Sequence, residues 1–143
     1  MKTLQQILKE KQHQETISIA PENTVYDALK LMAEKHIGAL AVIKSDKLVG
    51  IFSERDYARD VALKGKAAET TLIEEIMTTN LISCQATDLV DSALSTMSDK
   101  RIRHMPVMED GNMIGMLSIG DLVKATIEYQ AESIEQLESY IRS

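Results

Sequence analysis

The chain has 143 residues and carries 16 Lys plus Arg against 22 Asp plus Glu, a formal net charge of −6 in a length that fits one ordinary domain. Such acidity argues against a basic nucleic-acid-binding face, and 3 % aromatics with no Trp argue against a base-stacking platform. A lone Cys84 excludes an internal disulfide or a multi-thiolate metal site, no run approaches the roughly 18 apolar residues of a membrane span, and residues 1–15 lack the apolar core of a secretory signal, so a soluble cytoplasmic protein is expected.

In chain order, Leu4, Ile7 and Leu8 line one side of a short N-terminal helix within residues 1–13. A first unit over 14–65 opens with a β-type run at 16–19 and a turn at Ala20-Pro21-Glu22-Asn23. Val25, Ala28, Leu29 and Met32 then recur at helical spacing. Two apolar runs, 39–43 and 48–52, are joined by Lys44-Ser45-Asp46-Lys47, and a second helix follows at 54–63. A connection over 66–75 is polar at first, while 72–77 is apolar enough to dock. A second unit over 76–128 repeats the order: a run at 81–84, a turn at Gln85-Ala86-Thr87-Asp88, then Val90, Ala93, Leu94 and Met97. Apolar runs at 105–108 and 113–117 are joined by Glu109-Asp110-Gly111-Asn112, in which Asp-Gly is a strong hairpin signal, and a helix spans 119–128. At the C-terminus, 129–143, Ile134, Leu137 and Ile141 form a stripe among glutamates that reads as a packing or dimer contact rather than a membrane helix.

The two units are copies. A shift of 65 residues aligns 17–60 with 82–125 without gaps, and 12 of the 44 positions are identical, among them Val25/Val90, Met32/Met97, Gly50/Gly115, Ser53/Ser118 and Asp56/Asp121. The identities follow the apolar pattern, so the protein is an internal duplication of a β-α-β-β-α unit.

This order, with Gly50-Ile51-Phe52-Ser53-Glu54-Arg55-Asp56, Ile102-Arg103-His104-Met105-Pro106-Val107 and Gly115-Met116-Leu117-Ser118-Ile119-Gly120-Asp121-Leu122-Val123, resembles a tandem pair of CBS domains, the regulatory module named after cystathionine β-synthase. The similarity covers roughly residues 14–128 and, within the family, is greatest to small pairs found alone in bacteria and plant organelles. It implies an α/β fold of two units packed with pseudo-two-fold symmetry, plus extra terminal helices. It also implies an adenosine nucleotide (AMP, ATP or NAD(H)) held between the units, with Asp56 and Asp121 on the ribose.

The residues allow that chemistry, and also a plainer one. In Gly-x-x-Ser-x-x-Asp the glycine leaves room for close approach, and the helix start offers unpaired N–H groups and a positive dipole end. Ser53 and Ser118 can donate to a phosphate, and the two carboxylate oxygens of Asp56 or Asp121 match a ribose diol. Yet Ser-x-x-Asp at a helix start is equally a capping box that touches no ligand, and a duplicated cap duplicates too. The two copies also differ. Arg103 and His104 stand where the first unit has Gly38 and Ala39, and Arg55 stands where the second has Gly120. A guanidinium grips phosphate through two parallel bonds, although any one Arg of an acidic surface is commonly in a solvated ion pair. Thr78 is a further phosphate donor or a plain turn residue, and Ile17 and Ile82 are adenine contacts or strand core.

His13 and His36 have no metal-ligand spacing with any partner, so no metal is expected, and Cys84 reads as an inert buried thiol. The chain lacks a Gly-x-x-x-x-Gly-Lys phosphate loop, a dinucleotide fingerprint and a Gly-x-Ser-x-Gly elbow, which argues against an enzyme. The expectation is a nucleotide-sensing regulatory module, homodimeric through apolar helix stripes, signalling to a protein target the sequence does not name. The alternative is a constitutive dimerisation or scaffold domain without a ligand.

Overall fold

A computed structural model describes residues 1–11 and 16–142; His13 lies outside the described residues. The elements run α1 (Leu4–Glu10), β1 (Ser18–Ile19), α2 (Val25–Lys35), β2 (Ala39–Lys44), β3 (Lys47–Ser53), α3 (Glu54–Asp56), α4 (Ile73–Ile76), β4 (Cys84–Gln85), α5 (Val90–Lys100), β5 (His104–Glu109), β6 (Asn112–Ser118) and α6 (Ile119–Arg142), with a π-helical segment, Tyr57–Ala62, continuing α3. The fold is mixed α/β, with two three-stranded sheets of order β1-β2-β3 and β4-β5-β6. In each, the first pair is parallel and the second antiparallel, and the register shifts at the same place, Val42/Ile43 and Val107/Met108.

The repeated sequence explains the repeated geometry. Helices α2 and α5 end at His36 and Arg101, both left-handed with φ 56° and 55°, although neither is glycine. The hairpin β2–β3 turns through Ser45 and Asp46 and β5–β6 through Asp110 and Gly111, all with positive φ, the two-residue turn whose twist matches the strands it joins. The edge strands are shorter than the apolar runs suggest. Expected at 16–19 and 81–84, they pair only at Ser18–Ile19 and Cys84–Gln85, because two residues of each lie against the central strand.

The chain divides into two compact units, Glu15–Ile82 and Met1–Gln14 with Ser83–Ser143. In the first, Val25, Ala28 and Met32 of α2 pack with Leu40, Val42 and Phe52 of the sheet, Val61, and Ile73 and Ile76 of α4. In the second, Val90, Ala93 and Met97 of α5, Met105, Val107 and Leu117 of the sheet and Leu122 of α6 are buried, and so are Leu4 and Ile7 of α1. Helix α1 therefore belongs to the core of the second repeat.

Its place there is that of α4 in the first. Val25 N–H donates to Thr71 O, Ile73 N–H to Asn23 O and Glu74 N–H to Pro21 O; Val90 N–H donates to Lys2 O, Leu4 N–H to Asp88 O and Gln5 N–H to Ala86 O. Residues 4–11 thus match 73–80 at a shift of 69 rather than 65, and the N-terminal segment is a duplicated element rather than an addition. At the other end, α6 does not stop at 128. Residues 128–132 hold no Gly, Pro or cap, and the helix runs unbroken to Arg142.

Candidate functional site

The two Gly-x-x-Ser-x-x-Asp motifs lie where the third strand of each unit enters a helix. Ser53 has extended backbone and caps α3: its hydroxyl accepts from Asp56 N–H at 3.2 Å, while Asp56 Oδ2 accepts from Ser53 N–H at 2.9 Å and from Ser53 Oγ at 3.0 Å. Ser118 and Asp121 repeat the reciprocal backbone bonds at 3.1 and 2.9 Å. The capping reading of the motif is thus realised in both copies, using one carboxylate oxygen each time.

What else meets each carboxylate differs. Asp56 Oδ1 accepts from Thr78 Oγ1 at 3.1 Å, and Thr78 is held there by a two-way backbone bridge to Ile51. Asp121 is met instead by Lys11, whose ammonium lies 3.0 Å from Oδ2 and also donates to Met116 O at 3.0 Å. Burial of the Asp121 carboxyl raises its pKa, but the Ser118 N–H, the bond from Lys11 and the Lys11 charge outweigh it and hold the group below its ordinary value. A neutral hydroxyl thus stands at one copy and a cation at the other.

Lys11 was not among the candidates read from the sequence. The shift of 69, which lays residues 4–11 over 73–80, brings this segment to the second junction but pairs Thr78 with Lys9 and Lys11 with Asn80, so it points to the segment and not to Lys11 itself. Lys11 and Asp121 line a hollow of about 530 Å³ with Ile7, Glu10, Lys124, Ala125 and Glu128, a volume in the range of small-molecule sites.

The other candidates fall into two groups. In the second unit, His104 pairs across the sheet with Ser118, and exposed Arg103 accepts from Ile119 N–H through its carbonyl at 2.8 Å, so Arg103, His104, Ser118 and Asp121 share one strand–helix junction. In the first unit, Ser53, Arg55 and Asp56 are half-buried at the corresponding junction beside Thr78. Ile17 is half-buried at the head of β1, where its carbonyl accepts from Ala41 N–H. Ile82 is half-buried and precedes β4 rather than belonging to it. Cys84 is buried, donates to Pro106 O at 3.4 Å, and its thiol is pushed up to about 12, chiefly by burial. Among the described residues no group of three His, Cys, Asp or Glu side chains is placed to hold a metal, and no helix is long and apolar enough to cross a membrane.

The CBS domain family model matches twice, over residues 12–62 and 73–128. The chain belongs to the CBS-domain family. CBS pairs are commonly regulatory and ligand-binding modules. The mitochondrial CBS domain-containing protein CBSX3 of Arabidopsis thaliana is 41 % identical over 126 residues, covering 85 % of this chain and 61 % of its own length, so the CBS pair here spans about three fifths of that relative. A putative signal-transduction protein with CBS domains from Burkholderia ambifaria superposes with a TM-score of 0.86 at 43 % identity, over 89 % of this chain and 95 % of its own. The CBS domain pair of protein MJ0100, solved with 5′-methylthioadenosine and S-adenosyl-L-methionine, superposes with a TM-score of 0.76 at 27 % identity, over 90 % and 98 %.

Proposed function

We propose that this CBS pair is a regulatory module that binds an adenosine nucleotide, AMP, ATP or NAD(H), and passes the signal to a protein target, acting as a homodimer in the cytoplasm and catalysing no reaction. The observation that carries it is the twice-built carboxylate: Asp56 and Asp121 are half-buried at a strand-to-helix junction. In this reading both carboxylates accept from ribose hydroxyls. Ser118 donates to phosphate, and Ser53 and Thr78 do so by turning their one hydroxyl proton away from Asp56. Arg55 and Arg103 supply positive charge to it, His104 offers it a ring N–H, and Ile17 and Ile82 flank the base. That MJ0100 takes two adenosine-containing ligands on the same fold supports the ligand class.

A ligand bound only by the folded state stabilises it by about 2.7 kcal/mol at a hundredfold excess over Kd. AMP, ADP, ATP, NAD or S-adenosylmethionine is therefore expected to raise the melting temperature by several degrees, and GTP to do less. A second reading, a ligand-free scaffold, is favoured by the completeness of both capping boxes. A thermal-shift panel that stays flat with every adenosine compound rejects the adenosine sensor and favours the scaffold.

A further inference from the structure

Helix α6 extends well past the sheet it covers. Leu122 is buried, but from Ile134 to Arg142 every residue is exposed, including Ile134 at 57 %, Leu137 at 64 % and Ile141 at 81 %. An isolated helical segment of about a dozen residues is marginal in water, and Glu135 and Glu138 near this C-terminus oppose the helix dipole. The sequence supplies a reason for the helix to persist. Ile127, Ile134 and Ile141 recur every seven residues, and Val123, Gln130 and Leu137 recur every seven on the alternate position. This is a heptad seam of nearly three repeats, with Ile at one core position and Val, Gln and Leu at the other. At about 100° per residue the seam lies roughly a quarter-turn round from Leu122, which faces the core, so Val123 and Ile127 are open to solvent although they lie beside the body.

We infer that α6 pairs with α6 of a second copy of this chain as an antiparallel two-stranded coiled coil centred on Glu132. The charges choose the orientation. With the two-fold axis at Glu132, the core layers are Val123 against Ile141, Ile127 against Leu137 and Gln130 against Ile134, each formed twice. The flanking positions then bring Lys124 of each copy to Glu138 of the other, and Ala131 meets Ala131 at the centre, where a small side chain fits. A parallel pair in register sets Ser133 against Glu138 and Thr126 against Ala131, forms no ion pair, and stacks Gln130 on Gln130. Within its own helix Glu138 meets Arg142 at 3.8 Å; between copies the acidic helix finds a complement only head to tail, and Lys124 is the cation that makes the register specific.

The inference rests on the homodimer of the preceding section and adds where and how the copies meet. Three measurements on the full chain separate the two. Light scattering of the wild type reports whether a dimer exists, and a monomer at micromolar concentration overturns both. Leu137→Glu, at an exposed position, is expected to leave the circular dichroism of the body intact and to raise the dimer dissociation constant at least about tenfold. Lys124→Glu is expected to weaken the dimer, and Lys124→Glu with Glu138→Lys to restore it. A dimer indifferent to all of these overturns the coiled coil and leaves the dimer standing. Arg142→Cys carrying a nitroxide reads the orientation, since buried Cys84 stays unlabelled. At 1.5 Å per residue two labels across an antiparallel pair are roughly 30 Å apart along the axis, whereas parallel helices bring them within about 20 Å. The short distance, or a dimer with no measurable distance, rejects the antiparallel pair.

Discussion

Asp56 and Asp121 occupy the same place in the repeat, yet a hydroxyl from Thr78 meets one and an ammonium from Lys11 the other. The difference has a consequence in acid. Because the Asp121 carboxyl titrates lower in the folded chain than its ordinary 3.8, it contributes stability above that pH, and the contribution is lost as pH falls through the folded value. Lys11→Met removes the cation while burial of the carboxyl, which acts the other way, remains. The acid unfolding midpoint is therefore expected to move to higher pH, and stability at pH 7 to fall by about 1 kcal/mol or less for this partly exposed pair. A pH titration followed by circular dichroism checks this, and an unmoved midpoint rejects the role of Lys11. Asp56→Asn and Asp121→Asn separate cap from ligand site. Asparagine still caps, so unliganded Asp56→Asn is expected to lose roughly 0.5–1 kcal/mol or less, and Asp121→Asn more than Asp56→Asn because it also gives up the Lys11 pair. A carboxylate on a ribose diol instead costs roughly 1–3 kcal/mol of nucleotide affinity when neutralised, read by isothermal titration. Equal and unaltered affinity in both variants refutes the ribose assignment.

Each unit is closed by a short helical turn that approaches the third strand at its glycine. A Cβ built on Gly50 would lie 2.7 Å from Met77 Sδ and 3.1 Å from Thr78 O, and one on Gly115 would lie 2.7 Å from Leu8 Cδ2. Both alanine variants are expected to destabilise by about 1–3 kcal/mol through overpacking. Gly50→Ala is the more costly, because a backbone carbonyl cannot rotate aside as a leucine methyl can. Urea denaturation of the two variants checks the order, and equal midpoints reject it. That closing element is also the part of the fold least legible in the sequence. The strands, the helices α2 and α5 and both strand–helix junctions were legible, because Val25, Ala28, Met32 and their copies keep strict spacing across 44 gapless positions. The match of residues 4–11 to 73–80 was not, because the shift changes from 65 to 69 between Lys11 and Ile17 and only Ile7/Ile76 is identical. The π-helical turn at Tyr57–Ala62 left no signal either: its copy in the second unit continues as regular α-helix. The nearest neighbours of the two carboxylates come from the elements whose repeat is least regular, so Ser53, Asp56, Ser118 and Asp121 are legible in the sequence and Lys11 is not.

At the scale of the whole chain, the duplication is not two successive beads. Residues 1–11 fold into the unit that begins at Ser83, and α4, which precedes the second repeat in sequence, belongs to the first unit's core. Each repeat's leading turn is thus built into the other repeat's unit, and neither unit is made of one continuous copy. The N-terminus then stabilises the far end of the chain rather than its sequence neighbours. Leu4 tests this directly. It is fully buried, its N–H donates to Asp88 O, and it stands where Ile73 stands in the other unit. Leu4→Ala is expected to cost about 2–5 kcal/mol, as large-to-small substitutions in packed cores do. The loss is expected to appear as faster hydrogen exchange in β5 and β6, with β2 and β3 less affected, because local opening follows the unit that lost its packing. Faster exchange confined to β2 and β3, the strands nearer in sequence, would show that α1 closes the repeat it precedes and would remove the physical basis for pairing Lys11 with Asp121.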